Sequence, residues 1–396
     1  MDLEKPAELR LKRGREERLR AGHLWVYEGE VAGLPEGVAP GELVDVFDAR
    51  GRFLGRGYYN PASQIVARIL TRKKETVDAA FFRRRLEVAL AHRQRACPDL
   101  AAVRLVYGEG DLLPGLVVDR YGEYLVVQFL TMGMEVRRET ILSLLVELLR
   151  PAGIRERSTG TGRKNEGLSP REETVYGTVP EEVIVEENGL RYLVDLHHGQ
   201  KTGHFLDQRE NRAAAAALAR GRRVLDCFCY TGAFGLAAAL AGADEVLGVD
   251  FDEAALEVAR RNAVLNGLAD RCEFVAANAF DFLRAAVEEG RQYDLVILDP
   301  PAFTKSKFRV EEALRGYKEI NLRALRLLFP GGILVTCSCS HHVSYPLFQE
   351  VVQAAAADAG RRLRLLARRG HPADHPVLLG VPETEYLKCL ILEVLV

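Results

Sequence analysis

Val224-Leu225-Asp226-Cys227-Phe228-Cys229-Tyr230-Thr231-Gly232-Ala233-Phe234-Gly235 reads as the end of a strand, a turn, and the start of a helix. The apolar run stops at Asp226, and the Ala-rich stretch from 233 to 241 has helix-forming composition. Gly232 in the turn lets backbone approach a ligand where a Cβ would stand in the way. The turn is neither G-x-G-x-x-G nor a Walker A loop, so neither a pyrophosphate nor a triphosphate is favoured.

The same pattern repeats downstream. Glu245–Asp250 precedes a helix over 253–266, Cys272–Val275 a helix near 279–288, and Leu295–Leu298 a loop and a helix over 311–328. Gly332–Thr336 precedes a helix near 345–358, and Tyr386–Leu395 closes the sheet. Strands alternating with helices predict a doubly wound, mostly parallel α/β domain of the Rossmann-like class over 191–396. Its ligand belongs at the carboxyl ends of the strands.

Those strand ends carry the candidate cofactor residues. Asp226-Cys227-Phe228 and Tyr230-Thr231-Gly232 form an Asp-x-x-x-x-Thr-Gly turn, which resembles the cofactor loop of class I methyltransferases and implies S-adenosylmethionine. Asp250 can accept both hydroxyls of a ribose, and Phe251 can lie against an adenine. Asn278, beside Ala279, is placed to read the adenine edge, although related enzymes often have Asp there. Asp299 opens Asp-Pro-Pro after the fourth strand. Upstream, the aperiodic segment 197–209 is dense in hydrogen-bonding groups. From it Lys201, Phe205, Asp207 and Gln208 are cofactor candidates, with Asp207 and Gln208 clamping the methionine end. His197 and His198 do not suggest a metal, because adjacent side chains rarely share one ion, and no metal is expected.

The N-terminal half differs. Over 1–72, closely spaced short strands such as Leu43–Phe47, Phe53–Tyr59 and Gln64–Leu70 suggest a small β-rich module. Over 73–190, an amphipathic helix at 79–95, strands at 104–107, 116–119 and 124–130, and a helix at 136–149 suggest a central α+β domain. The polar, Gly-containing stretch 160–171 reads as a mobile loop. Basic clusters occur at Arg10–Arg20 and at Arg72–Arg85. Each can be a solvated face or a nucleic-acid contact.

With 396 residues, two or three domains are expected. A composition of 48% hydrophobic and 28% charged residues is that of a soluble globular protein, and the formal charge of −2 excludes a globally basic binder. The apolar runs are too short for a membrane span, and no secretory signal is read, so a cytoplasmic location is expected. The seven cysteines are odd in number and contain no Cys-x-x-Cys pair, which argues against disulfides and zinc ribbons.

The fifth strand leads into Thr336-Cys337-Ser338-Cys339-Ser340, facing the same crevice as Asp299. A cysteine there has a specific use. Pyrimidine C5 is a poor nucleophile, and thiolate attack at C6 makes it electron-rich enough to accept a methyl group. Two thiols compete. RNA cytosine-C5 methyltransferases keep their nucleophile in a Thr-Cys-Ser triplet, ninth from the first glycine of a Gly-Gly pair. Counting from Gly331 reaches Cys339, whereas Cys337 holds the literal Thr-Cys-Ser and lies deeper in the strand. The count favours Cys339, and both being packed core thiols is the remaining alternative. A second cysteine common after the Asp-x-Pro is Ala302 here, so product release has no thiol at that place. Asp299 can bond the cytosine N3/N4 edge, and Lys305 and Lys307 can hold a phosphate.

Taken together, the segments Arg10–Glu16, Pro61–Ile65, Gly108–Gly115, Gly203–Arg209, Asp299–Pro301, Arg315–Lys318, Ser338–Ser340 and Ala373–Val377 resemble one family. It is that of the bacterial ribosomal large-subunit RNA (cytosine-C5) methyltransferases of the RlmI type. The resemblance covers nearly the whole chain. It implies an N-terminal PUA domain, a central α+β domain and a C-terminal Rossmann-like methyltransferase domain, with 23S ribosomal RNA as substrate. The target base must leave its stack to be reached, which favours naked RNA or an early assembly intermediate. A homodimer is possible. Three rival readings remain. One is a guanine ring-nitrogen methyltransferase, which needs no thiol. Another is an RNA-binding assembly factor with an inactive fold. The third is a small-molecule methyltransferase.

Overall fold

The computed structural model describes residues 6–304 and 307–395, and of Lys307 the backbone only. The described chain divides into two compact units. The first holds residues up to Val183, Val194–Leu206 and Ala373–Thr384; the second holds Ile184–Leu193, Asp207–Pro372 and the residues from Glu385 onward.

The first unit opens with β1 (Ala7–Arg10), α1 (Glu17–Arg20), β2 (Trp25–Tyr27), β3 (Leu43–Phe47), β4 (Phe53–Tyr59) and β5 (Ile65–Thr71). These strands form one sheet in the order β1-β3-β4-β5-β2. Apolar side chains alternate toward a core of Leu9, Val26, Val44, Val46, Val66 and Ile69. Asp45 is buried within β3 and is neutralised by a two-point contact from Arg56, at 2.7 and 3.0 Å.

Helix α2 (Ala79–Ala96) starts where Asp78 accepts the Phe81 N–H at 2.9 Å. It buries Phe82, Leu86, Ala89 and Arg93, one stripe at helical spacing. Then follow β6 (Ala102–Tyr107), β7 (Leu116–Tyr121), β8 (Tyr124–Phe129), α3 (Met132–Glu135), α4 (Arg138–Leu149), β9 (Gly153–Ser158), α5 (Thr161–Asn165) and β10 (Arg171–Gly177). A second sheet takes the order β10-β9-β8-β7-β6. Tyr58 of the first sheet reaches it: its hydroxyl lies 2.8 Å from Pro114 O and 2.9 Å from Thr131 Oγ1.

The stretch 160–171, expected as a mobile loop, is instead anchored. It contains α5, and both Arg163 and Glu166 are buried. Arg163 pairs with Glu135 at 2.7 Å, and Glu166 pairs with Arg68 at 2.7 Å and accepts from Asn60 at 2.9 Å. Polar composition suggested solvent, but these polar groups satisfy one another inside the fold.

β11 (Glu182–Glu187) and β12 (Leu190–Asp195) form a two-stranded sheet, and within it the chain passes from the first unit to the second and back. The second unit continues with α6 (Arg209–Ala216), β13 (Arg223–Cys227), α7 (Ala233–Leu240), β14 (Glu245–Asp250), α8 (Glu253–Leu265), β15 (Cys272–Ala276), α9 (Ala279–Glu288) and β16 (Tyr293–Leu298). It ends with α10 (Val310–Leu327), β17 (Leu328–Ser338), α11 (Tyr345–Asp358), β18 (Arg362–Arg369) and β19 (Lys388–Leu395).

Its seven-stranded sheet runs β15-β14-β13-β16-β17-β19-β18. The first five strands are mutually parallel, and β19 runs against both of its neighbours. The continuous apolar run Leu295-Val296-Ile297-Leu298 is fully buried, as parallel strands covered on both faces require. The strand order reverses between β13 and β16, which opens a crevice at their carboxyl ends. Among the described residues no helix is long and apolar enough to cross a membrane.

Candidate active site

Asp226, Asp250, Asn278 and Asp299 all fall at carboxyl ends of parallel strands of the second unit. The turn after β13 is tightly wound. Phe228 and Tyr230 have positive φ angles of 63° and 49°, and Gly232 has 80°. Non-glycine residues in that region are held by their surroundings and concentrate at functional sites. Backbone bonds supply the hold: Phe228 N donates to Val249 O at 2.8 Å, and Tyr230 N to Asp250 Oδ2 at 2.8 Å. A Cβ at Gly232 would stand 2.9 Å from Phe274, and one at Gly235 would stand 2.8 Å from Val246. Both glycines are therefore steric requirements of the turn.

Asp226 is buried, and its Oδ2 accepts the Gly235 N–H at 2.8 Å, tying β13 to α7. Burial pushes its carboxyl up to about 8, opposed by the Gly235 N–H and aided by the nearby Asp299 and Asp250. Asp250 is nearly buried, and its carboxylate takes Tyr230 N on one oxygen and Asp252 N at 3.1 Å on the other. Phe251 beside it leaves 73% of its surface exposed. A bare aromatic face next to a fixed carboxylate suits a nucleoside, which offers a flat base and a diol. Cys227, Thr231 and Ala279 are buried. Asn278 is exposed and caps α9, accepting Phe280 N at 2.9 Å.

Gln208 is buried with both ends of its amide engaged. Its Nε2 donates to Asp299 Oδ1 at 2.8 Å, and its Oε1 accepts from Asn211 at 2.7 Å. It therefore orients Asp299. Asp207 accepts a hydrogen bond from the Tyr386 hydroxyl. Lys201 and Phe205 belong to the first unit, where the Lys201 ammonium sits 4.4 Å from the Phe205 ring centre. Lys305 and the side chain of Lys307 lie outside the described residues. Among the described residues no group of three or more His, Cys, Asp or Glu side chains is placed to hold a metal ion.

The two candidate thiols are in different surroundings. Cys337 is fully buried and faces Cys389 across the antiparallel pair β17–β19. A hydrogen bond with Cys389 and burial push its thiol well above the ordinary range. Cys339 comes just after β17 and is partly exposed, with Sγ 3.8 Å from Pro300 O. Its neighbours are pinned. The Tyr317 hydroxyl, from α10, lies 3.0 Å from Ser338 Oγ and 2.9 Å from Ser340 Oγ. Tyr317 is itself buried between Phe303 and Phe348, at ring separations of 4.6 and 5.3 Å.

Sequence reasoning missed Tyr317, Asn211, Tyr386 and Lys388. Tyr317 had a signal, since it lies within the family-like segment Arg315–Lys318, but nothing local gives it a role. Lys388 also had one, a charge opening the apolar run Cys389-Leu390-Ile391-Leu392.

Comparison with known proteins agrees with this geometry. Residues 171–391 match the S-adenosylmethionine-dependent methyltransferase family, and residues 9–72 match the PUA-like domain. A Tolumonas auensis protein named ribosomal RNA large subunit methyltransferase I is 46% identical, over 96% of this chain and 98% of its own. The Aeromonas hydrophila protein of the same name is 44% identical, over 97% and 98%. A solved structure from Streptococcus mutans, classed as a SAM-dependent methyltransferase, superposes with a TM-score of 0.86 at 23% identity, covering 98% of this chain and all of its own. Another, classed as a methyltransferase and complexed with SAH, gives 0.87 at 24% identity with the same coverage. These two establish the fold alone.

Fold and crevice thus define an S-adenosylmethionine-dependent methyltransferase with a PUA-like domain at its N-terminus. Within that class the chain belongs to the ribosomal RNA large subunit methyltransferase I family, RlmI.

Proposed function

We propose that this protein methylates C5 of a cytosine in 23S ribosomal RNA, with Cys339 as covalent nucleophile. The observation that carries the reading is the partly exposed thiol of Cys339 beside Pro300 of Asp299-Pro300-Pro301, held between two serines clamped by Tyr317. The thiolate attacks C6, which makes C5 nucleophilic. Bound S-adenosylmethionine supplies the methyl group as an electrophilic sulfonium substituent. A base then removes the C5 proton, and Cys339 leaves with the electron pair of the S–C6 bond.

Asp226, Asp250, Phe251, Asn278 and the turn Cys227–Gly232 line the cofactor's part of the crevice in this reading. Asp299, oriented by Gln208, hydrogen-bonds the N3/N4 edge of the base. The residues before about 72, between 73 and 190, and from 191 on act as RNA-binding, central and catalytic parts. The substrate is naked RNA or an early assembly intermediate, because the base must be flipped from its stack. The names of the curated relatives, which specify ribosomal RNA of the large subunit, support the substrate class.

The test is to incubate wild-type protein and a Cys339→Ala variant with methyl-labelled S-adenosylmethionine and unmodified 23S RNA, and to locate the label by nucleoside mass spectrometry. Label in 5-methylcytidine that disappears in the variant supports the reading. Label in a guanine, or label that survives the substitution, overturns it.

A further inference from the structure

A thiol becomes a nucleophile only when it loses its proton, and Pro300 O, 3.8 Å from Cys339 Sγ, favours the protonated form. Something near the sulfur must favour the anion. Lys388 opens β19 and is 2% exposed, an unusual place for an ammonium. It is paired in register with Ser338, the residue before Cys339. Its Nζ donates to the carbonyl of Ser340, the residue after Cys339, at 2.7 Å, and to Tyr386 O at 2.6 Å. The lysine is thus attached on both sides of Cys339. Neutral carbonyls satisfy two of its N–H groups, and neither cancels its charge.

We infer that Lys388 is a positioning residue for Cys339: its ammonium, fixed by Ser340 O and Tyr386 O, stabilises the thiolate that attacks the base. The inference rests on the proposed role of Cys339. The event is an ionisation: the Sγ–H bond breaks, its electron pair stays on sulfur, and the proton passes to solvent. Burial draws the lysine down to about 8, and among nearby charges that of Cys339 opposes this first and that of Glu385 second. A group titrating there still carries its proton at neutral pH. Among the described residues, other titratable groups around the pair include Asp299 after β16, Tyr317 on α10, Cys337 on β17, Tyr345 on α11, Cys389 on β19, His341 beside Ser340, and Tyr386 with its partners Asp207 and His371. Of the carboxylates nearby, Asp299 helps to raise the neighbouring Cys337 thiol, and Glu385 acts on Lys388, where it helps to keep the ammonium charged.

The test follows alkylation of Cys339 by iodoacetamide as a function of pH, read by peptide mass spectrometry, in wild type, Lys388→Met and Lys388→Arg. In wild type the midpoint should lie below the free-thiol value of about 8.5. Lys388→Met should raise it by about one unit, roughly a tenfold slower reaction at neutral pH. Lys388→Arg should restore it. A Lys388→Met profile that overlays wild type overturns the inference. Should Lys388→Met fail to fold, the reciprocal measurement stands: the Lys388 Nζ titration, followed by NMR in wild type and Cys339→Ala. Loss of the thiolate should lower the lysine midpoint, and an unchanged midpoint overturns the inference. Neither readout depends on which base is methylated. A guanine product would sink the cytosine reading, whereas an insensitive thiol beside a confirmed 5-methylcytidine product would sink only the role of Lys388.

Discussion

Cys337 and Cys339 are the same residue type two positions apart, and their difference is one of environment. Cys337 is enclosed between β17 and β19 against Cys389, where a charge would have no solvation. Cys339 lies past the strand end and is partly exposed. Counting residues favoured Cys339, but count alone could not exclude two core thiols. Asp226 allows a separate test at this scale. Its folded-state value near 8 stands above the ordinary 3.8, so its contribution to stability is complete below about pH 4 and is lost as pH rises toward 8. An Asp226→Asn variant keeps the acceptor for Gly235 N and never ionises. Its melting temperature should fall less than that of wild type between pH 5 and 8.5, with a difference of about 2–4 °C for each 1 kcal/mol relieved. Parallel curves for the two proteins would show that Asp226 does not titrate in that window.

At the scale of elements, β17 and α10 act together. The helix buries Ala313, Tyr317, Ile320, Ala324 and Leu327, and that stripe carries the Tyr317 hydroxyl to the end of the strand. Tyr317→Phe preserves the ring packing and removes the bridge between Ser338 and Ser340. It should cost about 1–2 kcal/mol in stability and lower kcat for methyl transfer with little change in KM for S-adenosylmethionine. Steady-state kinetics and urea unfolding separate the two effects, and an unchanged kcat would remove the clamp from the mechanism. The turn after β13 has a similar dependence on one contact. Gly235→Ala places a methyl 2.8 Å from Val246 and 3.2 Å from Asp226 Oδ2, and should weaken cofactor binding measured by calorimetry. The helices of the second unit were legible from periodicity, several to within two residues. β18 was not: its sequence Arg362–Arg369 is mostly polar or exposed, as suits an edge strand with one partner. The short strands β1 and β2 were missed because three or four residues carry no measurable period.

At the scale of the molecule, segments far apart in sequence complete each unit. In the second, Glu187 of β11 forms a buried two-point pair with Arg212 of α6, both bonds at 2.8 Å. Glu187→Ala would remove both of these bonds to a fully buried guanidinium and should cost about 3–5 kcal/mol; chemical denaturation monitored in the second unit would test this, and a loss below about 1 kcal/mol would contradict it. In the first unit, the late segment Ala373–Thr384 is bound by Arg93 to Asp374 O at 2.9 Å, by Arg104 N to Asp374 Oδ2 at 3.0 Å, and by His23 to Glu383 at 3.0 Å. Composition gives no sign of that return.

The sequence by itself determined the alternation of strands and helices, the crevice at the strand ends and the type of cofactor turn, because each depends on neighbours within a few residues. The same is true of the pair of candidate thiols. Only the tertiary structure decided which thiol is buried and which is partly exposed, which amide orients Asp299, and that Tyr317 and Lys388 converge on Ser338 and Ser340. Those depend on burial and on hydrogen bonds between residues 21 to 91 positions apart, distances over which no local pattern extends.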